Sequence, residues 1–211
     1  TLESPSLGAI AQPLSATGGA EPAPAGDVTR GLVSKWTLDG NAVDAVGSND
    51  GTTSGVSYTG GYIDQAGSFS PGSSYINCGS DPSLYSDSFT VSAWVYLDAL
   101  GDGNSQIRTV AAKNSDHSNR MFWLVHWNGD WQVRVGSNAK TINGGLSETG
   151  KWTHLVVTYD GASNTFELWV DGVSKGTNAE SSLGGQGTPF YIGCESDAYR
   201  MFDGLIDEVR Y

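Results

Sequence analysis

The sequence predicts an all-β protein, a two-sheet antiparallel jelly-roll sandwich with an extended N-terminal arm. Apolar residues recur at every second position in residues 89–97, which is the period of a strand and not of a helix. Two-residue hairpin signals, Asn128-Gly129 and Asp171-Gly172, separate runs of this kind. The 29 glycines and the 10% of aromatic residues are typical of short strands joined by tight turns.

The strands are predicted in order along the chain. In residues 32–38, Leu32, Trp36 and Leu38 share one face. In residues 89–97 one face carries Phe89, Val91, Ala93, Val95 and Leu97, whereas the other includes Trp94 and Tyr96. Further strands are predicted at 74–78, 107–112, 121–127, 131–135, 152–159, 165–170, 189–194 and 204–211.

Residues 1–30 differ in composition from the rest. They hold four prolines, no aromatic residue and one basic residue, Arg30, and they are predicted to be an extended Pro/Ala/Gly-rich arm or linker. Within this arm, Leu7, Ala9, Ile10 and Ala11 form a short uncharged segment that suits one added strand, on its own domain or on a neighbouring subunit. Residues 31–211 are predicted to form the sandwich domain.

The formal charge of −12 argues against two classes of partner, nucleic acid and anionic membranes, which require basic patches. No apolar run approaches the ~20 residues that span a bilayer, so membrane insertion is not expected. Lys and Arg together number only 11, and Ser, Thr, Gly and Asn are abundant. We predict an extracellular or cell-surface location.

Several segments resemble the laminin-G-like (concanavalin A-like) jelly rolls. Residues 151–161 and 166–172 resemble the central hairpin of that family, and residues 89–97 resemble the strand before it. Residues 190–193 and 202–210 resemble its closing strands, and residues 36–41 its opening. The resemblance implies the fold over residues 31–211, and it leaves glycan binding, adhesion, peptide binding and spacing open as functions.

Catalysis is not expected. Glycosidases of this fold carry paired carboxylates at alternate positions of one strand, as retaining hydrolysis requires. Glu167 stands alone, and Asp207 and Glu208 are adjacent, so they are predicted to point to opposite faces. His154 lies among apolar neighbours, which is more typical of a packed residue than of a general base.

A calcium site is predicted in the first loop, where Asp39, Asp44 and Asp50 lie among Asn and Gly residues. Oxygen ligands on a glycine-bent loop suit Ca²⁺. The family resemblance implies that this loop lies near the last strand, so that Asp207 completes the site. The alternative is a solvated acidic turn in which Asp and Asn serve as turn formers.

The two cysteines end strands of similar pattern, residues 74–78 and 190–194. If these strands are neighbours, Cys78 and Cys194 are predicted to form a disulfide in an exported protein. The alternative is two buried thiols.

Exposed aromatic side chains are candidates for a glycan platform. Trp127 and Trp131 flank the Asn128-Gly129 turn, although residues 121–127 are equally consistent with a core strand. Trp94 and Tyr96 lie opposite the apolar face of their strand and are the other candidates.

Two functions follow from these features. One is a non-catalytic extracellular structural or adhesive subunit, which assembles into filaments by donating its arm strand to the sheet edge of the next copy. The other is a calcium-stabilised, lectin-like carbohydrate-binding module of a larger secreted protein.

Overall fold

Antiparallel strands make up most of the computed structural model, which describes residues 30–100, 107–115, 119–196 and 199–211. One 3-10 turn, Pro82–Leu84, interrupts them, and no helix in this described part is long and apolar enough to cross a membrane. The strands are β1 (Lys35–Trp36), β2 (Thr52–Ser54), β3 (Ser57–Gly60), β4 (Gln65–Phe69), β5 (Tyr75–Asn77), β6 (Phe89–Leu97), β7 (Arg108–Asn114), β8 (Arg120–Trp127), β9 (Asp130–Val135), β10 (Lys140–Leu146), β11 (Trp152–Asp160), β12 (Thr165–Val170), β13 (Val173–Ala179), β14 (Phe190–Ile192) and β15 (Gly204–Arg210).

The strands form two sheets, as predicted. Sheet A has the order β13-β12-β11-β6-β15-β4-β3, and β1 also pairs with β15. Sheet B has the order β10-β9-β8-β7-β14-β5-β2. Sequential neighbours pair in hairpins at both ends of sheet A and at one end of sheet B, whereas β6 pairs with β15 and β7 with β14 across long connections. The predicted jelly-roll sandwich is confirmed.

The alternation in β6 sets the core side of sheet A. Its residues alternate between buried and partly exposed from Phe89 to Leu97. β11 lies beside it in a register that places Leu155 opposite Ala93 and Val157 opposite Val91. Because directly opposed residues point to the same face, these four side chains enter the core together.

Both predicted hairpin turns are confirmed. Asn128 and Gly129 have φ values of 55° and 85°, and they join β8 to β9. Asp171 and Gly172 have φ values of 50° and 75°, and they join β12 to β13. Asn, Asp and Gly tolerate this left-handed conformation, which matches the twist of the flanking strands.

Trp131 corrects one prediction, because it is a core residue and not part of an exposed platform. It is only 1% exposed and lies in the main core with Val133 and Val135 of the same strand. Its register partner on β8 is His126, so both point inward. Trp127 is the next residue of β8 and therefore points to the outer face.

The predicted arm residues Leu7, Ala9, Ile10 and Ala11 lie outside the described residues.

Candidate functional site

The outer face of sheet B carries the candidate site. On β8, Trp123 and Trp127 point away from the core, and the register sets Arg134 of β9 directly opposite Trp123. Arg120 begins β8, and Arg200 lies in the segment before β15. We call these five residues, Arg120, Trp123, Trp127, Arg134 and Arg200, the arginine–tryptophan face.

Three guanidinium groups surround the ring of Trp123. The Cζ atoms of Arg120, Arg134 and Arg200 lie 5.6, 5.5 and 4.9 Å from its centroid. Arg134 also lies 3.9 Å above the ring of Trp127. Cations over an indole ring at these distances are attracted by its negative π-face, so the rings stabilise the arginines as a group.

Trp123 is the most deeply buried aromatic residue of this face. It is 1% exposed, and its indole Nε1 donates a hydrogen bond of 2.9 Å to Oγ1 of Thr109 on β7. Its outer neighbours Trp127 and Arg134 are only partly buried. A ligand on this face therefore meets the edges of Trp127 and Arg134 before it meets Trp123.

Arg200 is held by a carboxylate. Its Nη1 lies 2.6 Å from Oε2 of Glu195, whose other oxygen accepts a hydrogen bond of 3.2 Å from Nδ2 of Asn114. Tyr199, which is 56% exposed, lies beside this arginine, with the guanidinium carbon 4.7 Å from its ring centroid. Arg200 and Tyr199 thus form one rim of the site.

Arg134 differs from Arg200, because no carboxylate or hydrogen-bond acceptor pairs with it within the part of the chain that the structure describes. Its Nε is shielded from solvent. Burial lowers the pKa of Arg134 from its ordinary value, the charges of Arg120 and Arg200 lower it further, and Glu195 opposes them. A partly desolvated cation without a counter-ion is suited to pair with a ligand.

The outer face of sheet A carries a second aromatic group, where the predicted residues Trp94 and Tyr96 lie. Tyr62 stacks on Trp94 with 3.5 Å between ring centroids, and His154 packs against Trp94 at 4.7 Å. Tyr96 meets Trp152 edge to face at 5.6 Å. Trp94 and Tyr96 are on the outer face as predicted, but their rings are engaged by neighbouring aromatic side chains.

The predicted metal ligands have other partners in this structure. Oδ1 of Asp44 accepts hydrogen bonds from the N–H groups of Lys35, Val46 and Gly47, and Oδ2 accepts one from Asn49. Burial opposes ionisation of Asp44, but these bonds outweigh it and lower its pKa. This carboxylate therefore organises its own loop.

The other three carboxylates are likewise bonded to backbone N–H groups. Asp50 accepts from Asp44, Asp39 from Gln65, and Asp207 from Ile63. Among the described residues, no three His, Cys, Asp or Glu side chains come together in an arrangement able to hold a metal ion. The four aspartates do not form a ligand set here, and calcium binding stays a prediction.

The strands that precede the two cysteines are neighbours, because β14 pairs with β5, and each cysteine lies just beyond its strand. However, no disulfide joins Cys78 and Cys194, and both are buried. Cys78 lies in the main core, and its N–H donates to the carbonyl of Phe190, whereas Cys194 lies beyond β14 in a separate cluster with Tyr191. Cys78 is therefore opposite Phe190, which precedes Cys194 by four residues.

Comparison with known proteins agrees with this fold. The family model of the concanavalin A-like lectin/glucanases superfamily matches residues 70–211. The chain belongs to this superfamily. No curated protein sequence matches it.

Several solved structures share the fold of this superfamily member. Domain 4 of AbnA, a GH43 extracellular arabinanase from Geobacillus stearothermophilus in complex with arabinotriose, is 27% identical with a TM-score of 0.67, over 85% of this chain and 90% of that chain. The binding domain of Paraclostridial Mosquitocidal Protein 1 is 17% identical with a TM-score of 0.69, over 86% and 48% of the two chains. Trypanosoma rangeli sialidase in complex with sialic acid is 18% identical with a TM-score of 0.66, over 86% and 30%. The last two likenesses concern the fold alone.

The sequence analysis did not predict that three arginines come together on the outer face of this superfamily member. They come from two strands and a distant segment, and only the pairing of β8 with β9 and of Thr109 with Arg200 brings them together. One signal in the sequence indicates that Arg134 points outward. It alternates in phase with Gln132 and out of phase with Trp131 and Val133.

Proposed function

We propose that this domain is a non-catalytic carbohydrate-binding module that holds a glycan on the arginine–tryptophan face. The observation that carries the proposal is the partly exposed ring of Trp127 beneath the guanidinium of Arg134, which has no counter-ion among the described residues. An aromatic platform beside a few directed polar donors is the usual composition of a small-ligand site.

The chemistry of the face suits a sugar. The C–H groups of a pyranose or furanose ring are apolar and pack against the part of the Trp127 indole that Arg134 leaves exposed, while the hydroxyl groups require donors and acceptors at the ring edge. Arg134 supplies several N–H donors in a fixed fork, and Gln132, another outward side chain of β9, supplies an amide. Binding of arabinotriose by domain 4 of AbnA, which this chain matches over most of its length, supports the proposal.

The test is isothermal titration calorimetry with oligosaccharides chosen from a glycan array. Trp127→Ala is expected to abolish binding, because it removes the platform. Tyr62→Ala, on the outer face of sheet A, is the matched aromatic control and is expected to leave binding unchanged. Loss of binding in the Tyr62 variant with retention in the Trp127 variant would move the site to the Trp94 and Tyr96 side of the protein.

Partial unfolding would imitate loss of binding, so each variant is compared by its melting temperature. A second readout needs no substitution that changes the fold: the indole N–H resonance of Trp127 in the wild-type protein is expected to shift on addition of the glycan. An unshifted Trp127 resonance at saturating glycan would contradict the assignment of the site.

We also propose an extracellular location and a role as one module of a larger secreted protein, for which the match to a domain of an extracellular arabinanase is the support. Calcium stabilisation is part of the same proposal, on the acidic composition of the first loop.

Assembly through the arm is a second proposal, and it rests on the sheet edges. Within the described residues both sheets end in strands that pair on one side only, and β13 at one edge of sheet A is exposed along nearly its whole length. Such an edge accepts an added strand. Deletion of residues 1–26 is expected to convert polymers into monomers in analytical ultracentrifugation. Polymers that persist after the deletion would rule out arm donation.

A further inference from the structure

We propose that the glycan held on the arginine–tryptophan face is acidic, and that its carboxylate pairs with the guanidinium of Arg134. This inference rests on the proposed function and narrows it to one class of ligand, oligosaccharides with uronic or sialic acid units.

The first support is the distribution of charge. The chain has a formal charge of −12 and only 11 Lys and Arg residues, yet three of these arginines surround the single ring of Trp123. Like charges at such distances repel each other, so the concentration is costly unless something offsets it. The carboxylate of Glu195 and the cation–π contacts offset part of this cost, and an anionic ligand would offset more.

The second support is the difference between the arginines. Arg200 has Glu195 as a partner at 2.6 Å. Arg134 makes no ion pair or hydrogen bond with any described residue, although its Nε is closed to solvent. The pKa of Arg134 is lowered first by burial and then by its arginine neighbours, and the charge of Glu195 only partly opposes this, which agrees with an incompletely compensated cation.

A neutral sugar does not fully compensate the charge of the Arg134 guanidinium. Hydroxyl groups satisfy N–H donors, but they bring no charge to balance a partly desolvated guanidinium. A carboxylate supplies both hydrogen-bond acceptors and a negative charge. Its two oxygens match the planar fork of arginine with two parallel hydrogen bonds. Trp127 covers one face of the Arg134 guanidinium and Nε is closed to solvent, so the carboxylate approaches the two Nη atoms at the outer edge.

The experiment uses pairs of probes. Oligosaccharides that contain uronic or sialic acid are titrated by calorimetry beside the same oligosaccharides after chemical reduction of their carboxyl groups to alcohols. We expect the acidic member of at least one pair to bind ten-fold or more tightly than its neutral counterpart. Arg134→Gln is expected to abolish this preference, while Arg134→Lys, which keeps the charge without the fork, retains part of it.

Lys175→Gln is the matched control. It removes the same single charge from an exposed position of β13 on the other sheet, and it is expected to leave the preference intact. A preference that falls equally in the Lys175 and Arg134 variants would overturn the pairing, since it would reflect the net charge of the protein alone.

The outcomes separate the two proposals. Equal binding of acidic and neutral members, lost in Trp127→Ala, would overturn the acidic ligand and keep the carbohydrate-binding function. If only sulfated oligosaccharides bind, the assignment of a carboxylate as the group that pairs with Arg134 would be overturned. Absence of binding to every acidic and neutral glycan, with the variants folded as judged by their melting temperatures, would overturn both proposals.

Discussion

The ring of Tyr62 lies 3.5 Å from the ring of Trp94, centroid to centroid, with 13° between their planes. Tyr62 belongs to the loop between β3 and β4, and the carboxylate of Asp207 on β15 binds the next residue of that loop by accepting a 2.9 Å hydrogen bond from the N–H of Ile63. Asp207 is also the register partner of Trp94. One buried carboxylate therefore positions the loop that covers Trp94 on the outer face of sheet A.

Asp207 is expected to make stability depend on pH. Burial raises its pKa to about 6, against the hydrogen bonds that lower it. Because the folded pKa exceeds the unfolded one, ionisation costs stability as the pH rises from about 4 to about 6, and the full cost, up to about 3 kcal/mol, is present at pH 7. Asp207→Asn should remove this cost, so its unfolding free energy should rise relative to wild type between pH 4 and pH 7.

Urea unfolding at intervals of one pH unit measures this difference. Asp64→Asn, an exposed carboxyl of the same loop, is the control and should show no such trend. A constant difference between Asp207→Asn and wild type across the range would contradict the prediction.

Two tryptophans beside one turn should differ in their effect on stability. Trp131 is fully packed in the core, so Trp131→Ala should lower the unfolding free energy by roughly 3–5 kcal/mol. Trp127 is partly exposed, and Trp127→Ala should cost about 1 kcal/mol. Chemical denaturation of both variants checks the order, and equal losses would show that the two side chains are equally buried.

The predicted calcium site at Asp39, Asp44, Asp50 and Asp207 has its own test. If the ion is structural, chelator should lower the melting temperature and calcium in the range of roughly 10⁻⁴–10⁻³ M should restore it. Magnesium at the same concentration is the control, since it favours a smaller, octahedral site. A melting temperature that chelator leaves unchanged would rule out the calcium site. Asp44 would then serve only to organise its loop by hydrogen bonds.

The cysteines should be unreactive in the folded protein. Burial raises the pKa of the Cys78 thiol well above its usual value, and the thiolate is the form that reacts. Iodoacetamide should label neither cysteine before unfolding and both after unfolding without reductant, as read by mass spectrometry. Labels that appear only after reduction would establish the disulfide between Cys78 and Cys194.

The sequence by itself determined the fold class and most of the strands. The alternation of β6 and the Asn128-Gly129 and Asp171-Gly172 turns depend on the period of a strand and on backbone φ angles, both of which are local properties. Tertiary structure alone decided which side chains are accessible. Trp127 and Trp131 look alike in sequence, and only the register of β8 on β9 sends one outward and the other into the core.

Strand register also explains why the sequence did not predict the candidate site. Arg120, Arg134 and Arg200 are far apart in the chain, and no local pattern records that they share the ring of Trp123. Likewise, the sequence placed Cys78 and Cys194 on neighbouring strands, but the offset between them depends on where β14 ends. Periodicity is encoded within each strand, whereas register and the packing of segments between strands arise only when the sheets assemble.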